Sequence, residues 1–547
     1  MKQTRWLLLF ALIVLLLPWL GETLFSAKGE PREAIVAMSM LESGNWILPV
    51  SYGADMPYKP PLLAWLIALA SWLFNGGVVN EFTSRLPSAI AAIAMVMTGY
   101  SWALRVTWRR SAVIMSVVTI TSFEVYRAAV TCRVDMLLTA FMVIALFEMY
   151  RWRQYRDTHA QTPGRSLTRL LWIALLLSGA VLSKGPIGSL LPCLAMGVFC
   201  LVRGDNFFRT LIWLGVVCIL SFLLPSLWYW QAYQQGGQDF LNLALQENVQ
   251  HVNGPFTYDV HLTPWWYNLW TMAIGLLPWT LLLLMVFIAS CFNGVLGKAL
   301  KNRKAWSEPT TFAVTVSSVI FLFYCLPAGK HSSYLLPLCP FLAYGVAELI
   351  GHMQRQGSLK LYCYIIFGLA VIAPIIGVIL QWVPFENVSV ESMPLWRYPL
   401  ALIPLLGAWL WFHEKKFPIR NLMITTLLMF LAAGSAFMPM FLNARSDLKG
   451  VVKVELASRD HGPVFTYTPD SLRGYYTLNF YLNDKLRRIQ QANTDTLSRF
   501  VLLTSPEDFQ AVALQHPDFA ADTTHLLEHS CDTHRPIVLS RFHRTNQ

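Results

Sequence analysis

The sequence predicts an all-α polytopic membrane protein that carries a small α/β domain at its C-terminal end. Of its 547 residues 55% are hydrophobic and only 13% charged, whereas an ordinary soluble domain carries about 25% charge. Apolar runs of roughly 17 to 25 residues, the length that spans a bilayer, recur as far as residue 441. From residue 443 the composition turns polar, with strand-like runs at Val464 to Thr468 and Phe500 to Thr504 and a helical pattern near Pro506 to Leu514. The expected division is therefore 1–442 for the membrane domain and 443–547 for the α/β domain.

A net charge of +11 would suit a nucleic-acid binder if the basic residues shared one face of a soluble domain. They fall instead in short segments between apolar runs, the pattern by which a polytopic protein marks its cytoplasmic side. The lipid bilayer is the expected partner, and nucleic acid is not. Of nine cysteines, Cys193, Cys200, Cys218 and Cys363 lie inside apolar runs and none has metal-ligand spacing, so they read as small core residues. Cys531 has no partner for a disulfide in the tail.

Met1 to Arg5 followed by Trp6 to Leu20 reads as an uncleaved first span with its N-terminus inside. Further runs lie near 84–104, 111–128, 135–150, 169–183, 186–202, 210–230, 268–292, 310–327, 333–350, 361–382, 397–412 and 421–441, which makes thirteen spans. Pro61 to Phe74, at about 14 residues, falls in the interfacial length class and is assigned to the first outer loop. Counting it as a span would place Arg105, Arg109 and Arg110 outside, together with Arg151, Arg153 and Arg156, and invert the positive-inside rule. Thirteen spans put the tail outside, in the periplasm of a bacterium whose inner membrane holds the chain. No internal repeat or low-complexity tract interrupts this order.

The outward loops concentrate ionisable residues beside apolar runs, a placement that marks a pathway or a site. They carry Glu30, Arg32, Glu33, Lys59, Arg133, Asp135, Lys184 and Lys330. A carboxylate takes a proton from an attacking hydroxyl, while Lys and Arg hold a phosphate leaving group. Two or three carboxylates against four or more cations therefore fit phosphoryl-linked sugar chemistry. Plainer readings stand beside this one. Arg85 and Arg127 suit lipid headgroups, Glu33 suits a solvated helix face, and Asp135 suits an N-cap. A transporter or flippase also combines many spans with buried charges, but the chain shows no inverted repeat and its charges lie at one face.

The segments Gly29-Glu30-Pro31-Arg32-Glu33-Ala34, Tyr58-Lys59-Pro60-Pro61, Arg133-Val134-Asp135, Ser183-Lys184-Gly185 and Lys330-His331-Ser332-Ser333-Tyr334-Leu335-Leu336-Pro337 resemble the lipid-dependent membrane glycosyltransferases of the GT-C class. Within that class the likeness is to the branch of protein O-mannosyltransferases and the ArnT-like aminoarabinose transferase of lipid A. It extends over about residues 5 to 345. The resemblance implies about thirteen transmembrane helices with interfacial helices in the first periplasmic loop. It further implies transfer of a sugar, with inversion, from a polyprenyl monophosphate such as undecaprenyl phosphate to an outer-leaflet or periplasmic acceptor. That acceptor is a hydroxyl or phosphate of lipid A or a related glycolipid; a secreted polypeptide, as in the O-mannosyltransferases, is the alternative.

The family's first loop offers Asp-Glu where this sequence has Gly29-Glu30, so the resemblance makes Glu30 the general base. Asp135 then orients the acceptor or shares the base role. Lys59 and Tyr334 match residues that approach the donor phosphate, with Lys184, Lys330, Arg133 and Arg32 as supporting cations. The aminoarabinose branch carries Glu at the position of Tyr58 and Glu-His at Glu247-Asn248, so these three residues are expected to support the acceptor and no zinc is expected. A divalent cation is left open. His251 reads as a surface residue.

The topology is checked by reporter fusions. Alkaline phosphatase joined after residue 545 is expected to be active and a green fluorescent protein there dark; the reverse pattern would invert the assignment.

Overall fold

The computed structural model describes residues 2–545 apart from 26–28, 52–55, 58, 159–162, 254–262, 265, 294–305, 328, 384–391, 415, 445–451, 456–457, 460–461, 468–474, 494–495 and 528–535. In chain order the helices begin α1 (Lys2–Leu16), α2 (Pro31–Ser43), α3 (Leu62–Phe74), α4 (Glu81–Val106), α5 (Arg109–Ile120), α6 (Phe123–Ala129), α7 (Val134–Thr158) and α8 (Pro163–Lys184). They continue with α9 (Ile187–Val202), α10 (Phe207–Asn253, broken at Gly237), α11 (Tyr267–Gly275) and α12 (Trp279–Asn293). Glu308–Cys325, Cys339–Gln356, Lys360–Ile379, Pro404–His413 and Pro418–Ala432 complete the bundle.

Each of the thirteen apolar runs is thus helical. Among the described residues nine helices are long and apolar enough to cross a membrane, or eleven if each of two bent pairs is one span. The two runs left over are α9, of only 16 residues, and α7, whose apolar stretch includes Asp135, Glu148 and Arg151. The protein is multi-pass. α3 has 13 residues and reaches roughly 20 Å, short of the ~30 Å hydrocarbon layer; it packs on α2 and α4. In α1, Leu8, Leu12, Leu15 and Leu16 form one buried face, as a spacing of three and four dictates.

The two bent pairs explain each other. α5 and α6 meet at 66° and α11 and α12 at 116°, and each bend frees backbone groups that a lipid interior cannot satisfy. The Phe123 amide, just past the first bend, donates to the Leu277 carbonyl in the second at 3.0 Å. The Trp279 indole N–H donates to Thr121 Oγ1 at 3.1 Å. Thr121 and Ser122 turn their hydroxyls back to the carbonyls of Val117 and Val118, a bonding habit that bends helices.

α7 and α8 pack along each other, and α9 folds back on α8 through Gly185, whose φ is 87°. At Gly188 a Cβ would lie 2.5 Å from the Ala180 backbone carbon, so only glycine lets α9 approach this closely. At the end of α7 away from Asp135, Trp102 stacks on Phe147 at 4.9 Å and packs against Tyr150, Phe312 and Tyr344. This aromatic cluster joins four helices.

Beyond the bundle lies a five-stranded sheet of order β2-β1-β3-β5-β4. It comprises β1 (Val464–Thr466), β2 (Arg487–Arg488), β3 (Arg499–Thr504), β4 (Phe519–Leu527) and β5 (Ile537–Arg544). β1 pairs in parallel with β2 and β3, while β5 runs antiparallel to β3 and β4. The helix Pro506–Gln515 follows β3, capped by Ser505 on the Asp508 amide. Phe465, Phe500, Phe519 and Phe542 make the core between them. The tail also grips the bundle: Tyr481 donates to Glu81 Oε1 at 2.8 Å and accepts the Phe25 amide at 2.8 Å, and Phe480 packs on Phe25 at 4.7 Å.

Gly188→Ala is expected to destabilise the hairpin by about 1–3 kcal/mol, the usual cost of overpacking, and to lower the apparent Tm of the purified protein. An unchanged Tm would refute the close approach.

Candidate functional site

Asp135 occupies the first turn of α7 and Lys184 the last turn of α8. A helix favours an acid at its start and a cation at its end, and antiparallel packing brings the two termini together. Lys184 Nζ donates to Asp135 Oδ1 at 2.5 Å. It also stands 4.6 Å from the centroid of the Tyr334 ring, which stacks in turn on Tyr324 at 5.1 Å. Tyr334 comes from the short 3₁₀ helix Ser332–Leu338, capped by His331.

These groups share a cavity of about 210 Å³ with Gly29, Arg32, Lys59, Arg133, Val134, His331 and Ser333. Four cations face one carboxylate across it. His331 Nδ1 accepts the Ser333 amide at 3.3 Å and lies 2.8 Å from Ser333 Oγ, while Nε2 is 3.4 Å from Arg133 Nη1. The protein packed around the ring, followed by Arg133, Lys184 and Arg127, pushes its pKa down to about 4 against the pull of Asp135. Burial likewise lowers that of Arg133.

The structure brings together Lys59, Arg133, Arg32, Lys184, Asp135 and Tyr334 from the expected set. Asp135 lies inside α7, and its carboxylate meets Lys184, so the N-cap reading gives way to an ion pair. Glu30, expected as general base, is elsewhere. Its side chain is 4% exposed and is held by Arg85 Nε at 2.5 Å, with the Cys132 amide at 3.2 Å, and it is not among the residues that line the cavity. Lys330 also stands apart and reaches the Thr263 carbonyl at 3.4 Å. Tyr58 lies outside the described residues, as do the side chains of Glu247, Asn248 and His251 at the end of α10.

In three plainer readings the residue is ion-paired, and in two of them it is also buried. Arg85 is 2% exposed and ion-paired, which removes it from lipid headgroups. Arg127 bonds Glu124 one turn earlier on α6. Glu33 is buried beside Arg32 at 3.1 Å and is no solvated face. Sequence reasoning assigned no role to His331, Ser333 or Gly29, although all three line the cavity. Arg85 carried a readable signal, a charge five residues into an apolar helix. Among the described residues no three His, Cys, Asp or Glu side chains gather in a metal-binding group.

Several known proteins resemble this chain in sequence or in fold. Residues 58–230 match the model of the dolichyl-phosphate-mannose-protein mannosyltransferase family. The undecaprenyl phosphate-alpha-4-amino-4-deoxy-L-arabinose arabinosyl transferase of Edwardsiella ictaluri is 27% identical over 431 residues, which cover 76% of this chain and 74% of that protein. The transferase of the same name from Pseudomonas aeruginosa is 26% identical over 439 residues, covering 75% and 74%. Among solved structures, ArnT from Cupriavidus metallidurans bound to undecaprenyl phosphate superposes with a TM-score of 0.71 at 18% identity, covering 98% of each chain. The two share one fold from end to end.

His331 is neutral at physiological pH and gains its proton only as the pH falls toward 4. The unfolded chain binds that proton sooner, below about 6.5, so the ring's contribution to stability declines between those values as pH falls. Turnover of the wild type and of His331→Asn is therefore expected to follow pH profiles of the same shape between pH 6 and 8. An acidic limb near pH 6.5 that vanishes in the variant would show that the ring titrates there.

Proposed function

We infer that the chain is a membrane glycosyltransferase of the ArnT-like branch of the GT-C class, and propose that it transfers a sugar from a polyprenyl monophosphate to an outer-leaflet acceptor. The observation that carries this reading is the cavity itself, where four cations, one carboxylate and one tyrosine converge at a single end of the helix bundle. Such a site suits a lipid-borne phosphate that approaches from the membrane. The likeness to arabinosyl transferases that use undecaprenyl phosphate supports the same donor class. The expected arrangement has the N-terminus in the cytoplasm, the tail in the periplasm and the cavity at the periplasmic face of the inner membrane.

In this mechanism Lys59, Arg133, Lys184 and Arg32 hold the donor phosphate, with the Tyr334 hydroxyl beside it. The acceptor oxygen attacks the anomeric carbon from the face opposite the phosphate. The new C–O bond forms as the old one breaks, the configuration inverts, and polyprenyl phosphate departs with the negative charge that the cations stabilise. Fixed charges aimed at a developing anion lower the barrier because they need no reorganisation during the reaction. Asp135, the carboxylate that lines the cavity, takes the proton of a hydroxyl acceptor. An acceptor phosphate is already ionised and has no proton to surrender, which suits a cavity with a single carboxylate.

Lipid A or a related glycolipid is the acceptor this reading favours, because the relatives named arabinosyl transferases match three quarters of the chain. The match of residues 58–230 to protein mannosyltransferases favours a second reading, in which a secreted polypeptide supplies the hydroxyl.

Mass spectrometry of lipid A from cells expressing the wild type or Lys59→Ala, at matched membrane levels, separates the two. A glycosyl increment is expected with the wild type and a loss of about 10² to 10³-fold with the variant, the cost of one charge-stabilising donor. Identical spectra would send the search to protein acceptors.

A further inference from the structure

Among the described residues the most deeply enclosed charged pair near the cavity is Glu30 with Arg85, whose side chains are 4% and 2% exposed. Removing two charges from water is costly and is offset only when their remaining hydrogen-bonding positions are also filled. Here they are. Arg85 Nη1 donates to the carbonyls of Leu20 and Thr23 and to Thr23 Oγ1, and Nη2 reaches the Leu24 carbonyl at 3.4 Å. The guanidinium lies 5.0 Å from the centroid of the Phe25 ring. One side chain of α4 thereby gathers the whole turn that follows the first span.

On its other side the pair reaches the cavity through the backbone. Glu30 Oε1 accepts the Cys132 amide at 3.2 Å, and Cys132 stands one residue before Arg133 and three before Asp135. Gly29, next to Glu30, lies so close to Arg133 that a Cβ there would be 3.2 Å from Nη2. The first loop therefore meets the second at two adjacent residues, one bonding its backbone and one leaving space for its guanidinium.

We propose that Glu30 and Arg85 are positioning residues of the transfer reaction, a buried strut that sets where Arg133 and Asp135 stand in the cavity. The proposal rests on the sugar-transfer reading and assigns to that reaction two residues that do not touch the substrate. A general base must come within hydrogen-bond reach of the group whose proton it takes, about 2.6–3.2 Å between heavy atoms or through one water, whereas Glu30 Oε1 is taken up by Arg85 and Cys132 and the cavity wall is built of other residues.

The test uses the full-length protein in lipid nanodiscs with two readouts, steady-state transfer and equilibrium binding of polyprenyl monophosphate. Glu30→Gln leaves the Arg85 charge buried without its counter-ion and displaces the loop; donor KM and the polyprenyl phosphate Kd are expected to rise at least ten-fold, with the pH profile of kcat unchanged. The double variant Glu30→Gln/Arg85→Gln restores a neutral, hydrogen-bonded pair and is expected to recover at least five-fold of that binding. A kcat lowered a hundred-fold at unchanged KM and Kd, with no recovery in the double variant, would overturn the proposal and make Glu30 the base. If Glu30→Gln does not fold, Arg85→Lys carries the same comparison. It keeps a charge opposite Glu30 but loses the fork that holds the carbonyls, so KM and the polyprenyl phosphate Kd are expected to rise together, and a fall in kcat with KM and Kd unchanged sinks the idea. A wild type that binds polyprenyl phosphate yet transfers no sugar ends the transfer reading, while the pattern of loss and recovery in Kd still decides whether the strut places Arg133.

Discussion

A charge taken out of water must be met by another charge or by a full set of hydrogen bonds, and this rule arranges the end of the bundle that holds the cavity. Three carboxylates there each face a cation: Glu30 with Arg85, Asp135 with Lys184, and Glu33 with Arg32. The pairs differ in depth. Glu30 and Arg85 are sealed, whereas the Lys184 and Asp135 side chains are 21% and 12% exposed and border solvent. Depth separates their tasks, because a sealed pair can only hold backbone in place while an open pair can exchange one of its bonds for a ligand.

The same accounting applies to uncharged backbone. Bends in α5–α6 and α11–α12 would each leave polar groups bare in lipid, and they coexist because each supplies what the other lacks. The bent segments carry α6 and its Arg127 toward the cavity, where Arg127 Nη2 lies 3.5 Å from Ser332 Oγ. Local breakage of two spans thus serves to bring a helix end to the site.

The helices were legible because an apolar run long enough to span a bilayer has few alternatives. The sheet was legible in part: Phe500 to Thr504 matches β3, whereas β4, with the sequence Phe519–Leu527, alternates too weakly to announce itself. In the cavity, Asp135 and Lys184 could be read because charges at the ends of apolar runs are conspicuous. The bonds they make could not, since 49 residues separate them and only the α7–α8 packing closes the distance. Glu30 shows a further limit. Resemblance singled it out as a base, but its partner Arg85 lies 55 residues on, and nothing in the local sequence tells that the two enclose each other. Gly29 carried no signal of its own until the Arg133 guanidinium was seen beside it.

The bond between Tyr481 and the Phe25 amide spans 456 residues of chain. At a synthesis rate of about 5–20 residues per second the first loop waits roughly 20–90 s for that partner to leave the ribosome. During that interval the N-terminal spans can insert and pair, and Arg85 is the first side chain to hold the turn that Phe25 closes, ahead of Arg397 and Asn443, which bond Glu22 and Leu24. The buried guanidinium is thus the early clamp on a loop whose final fastening arrives nearly a whole chain later.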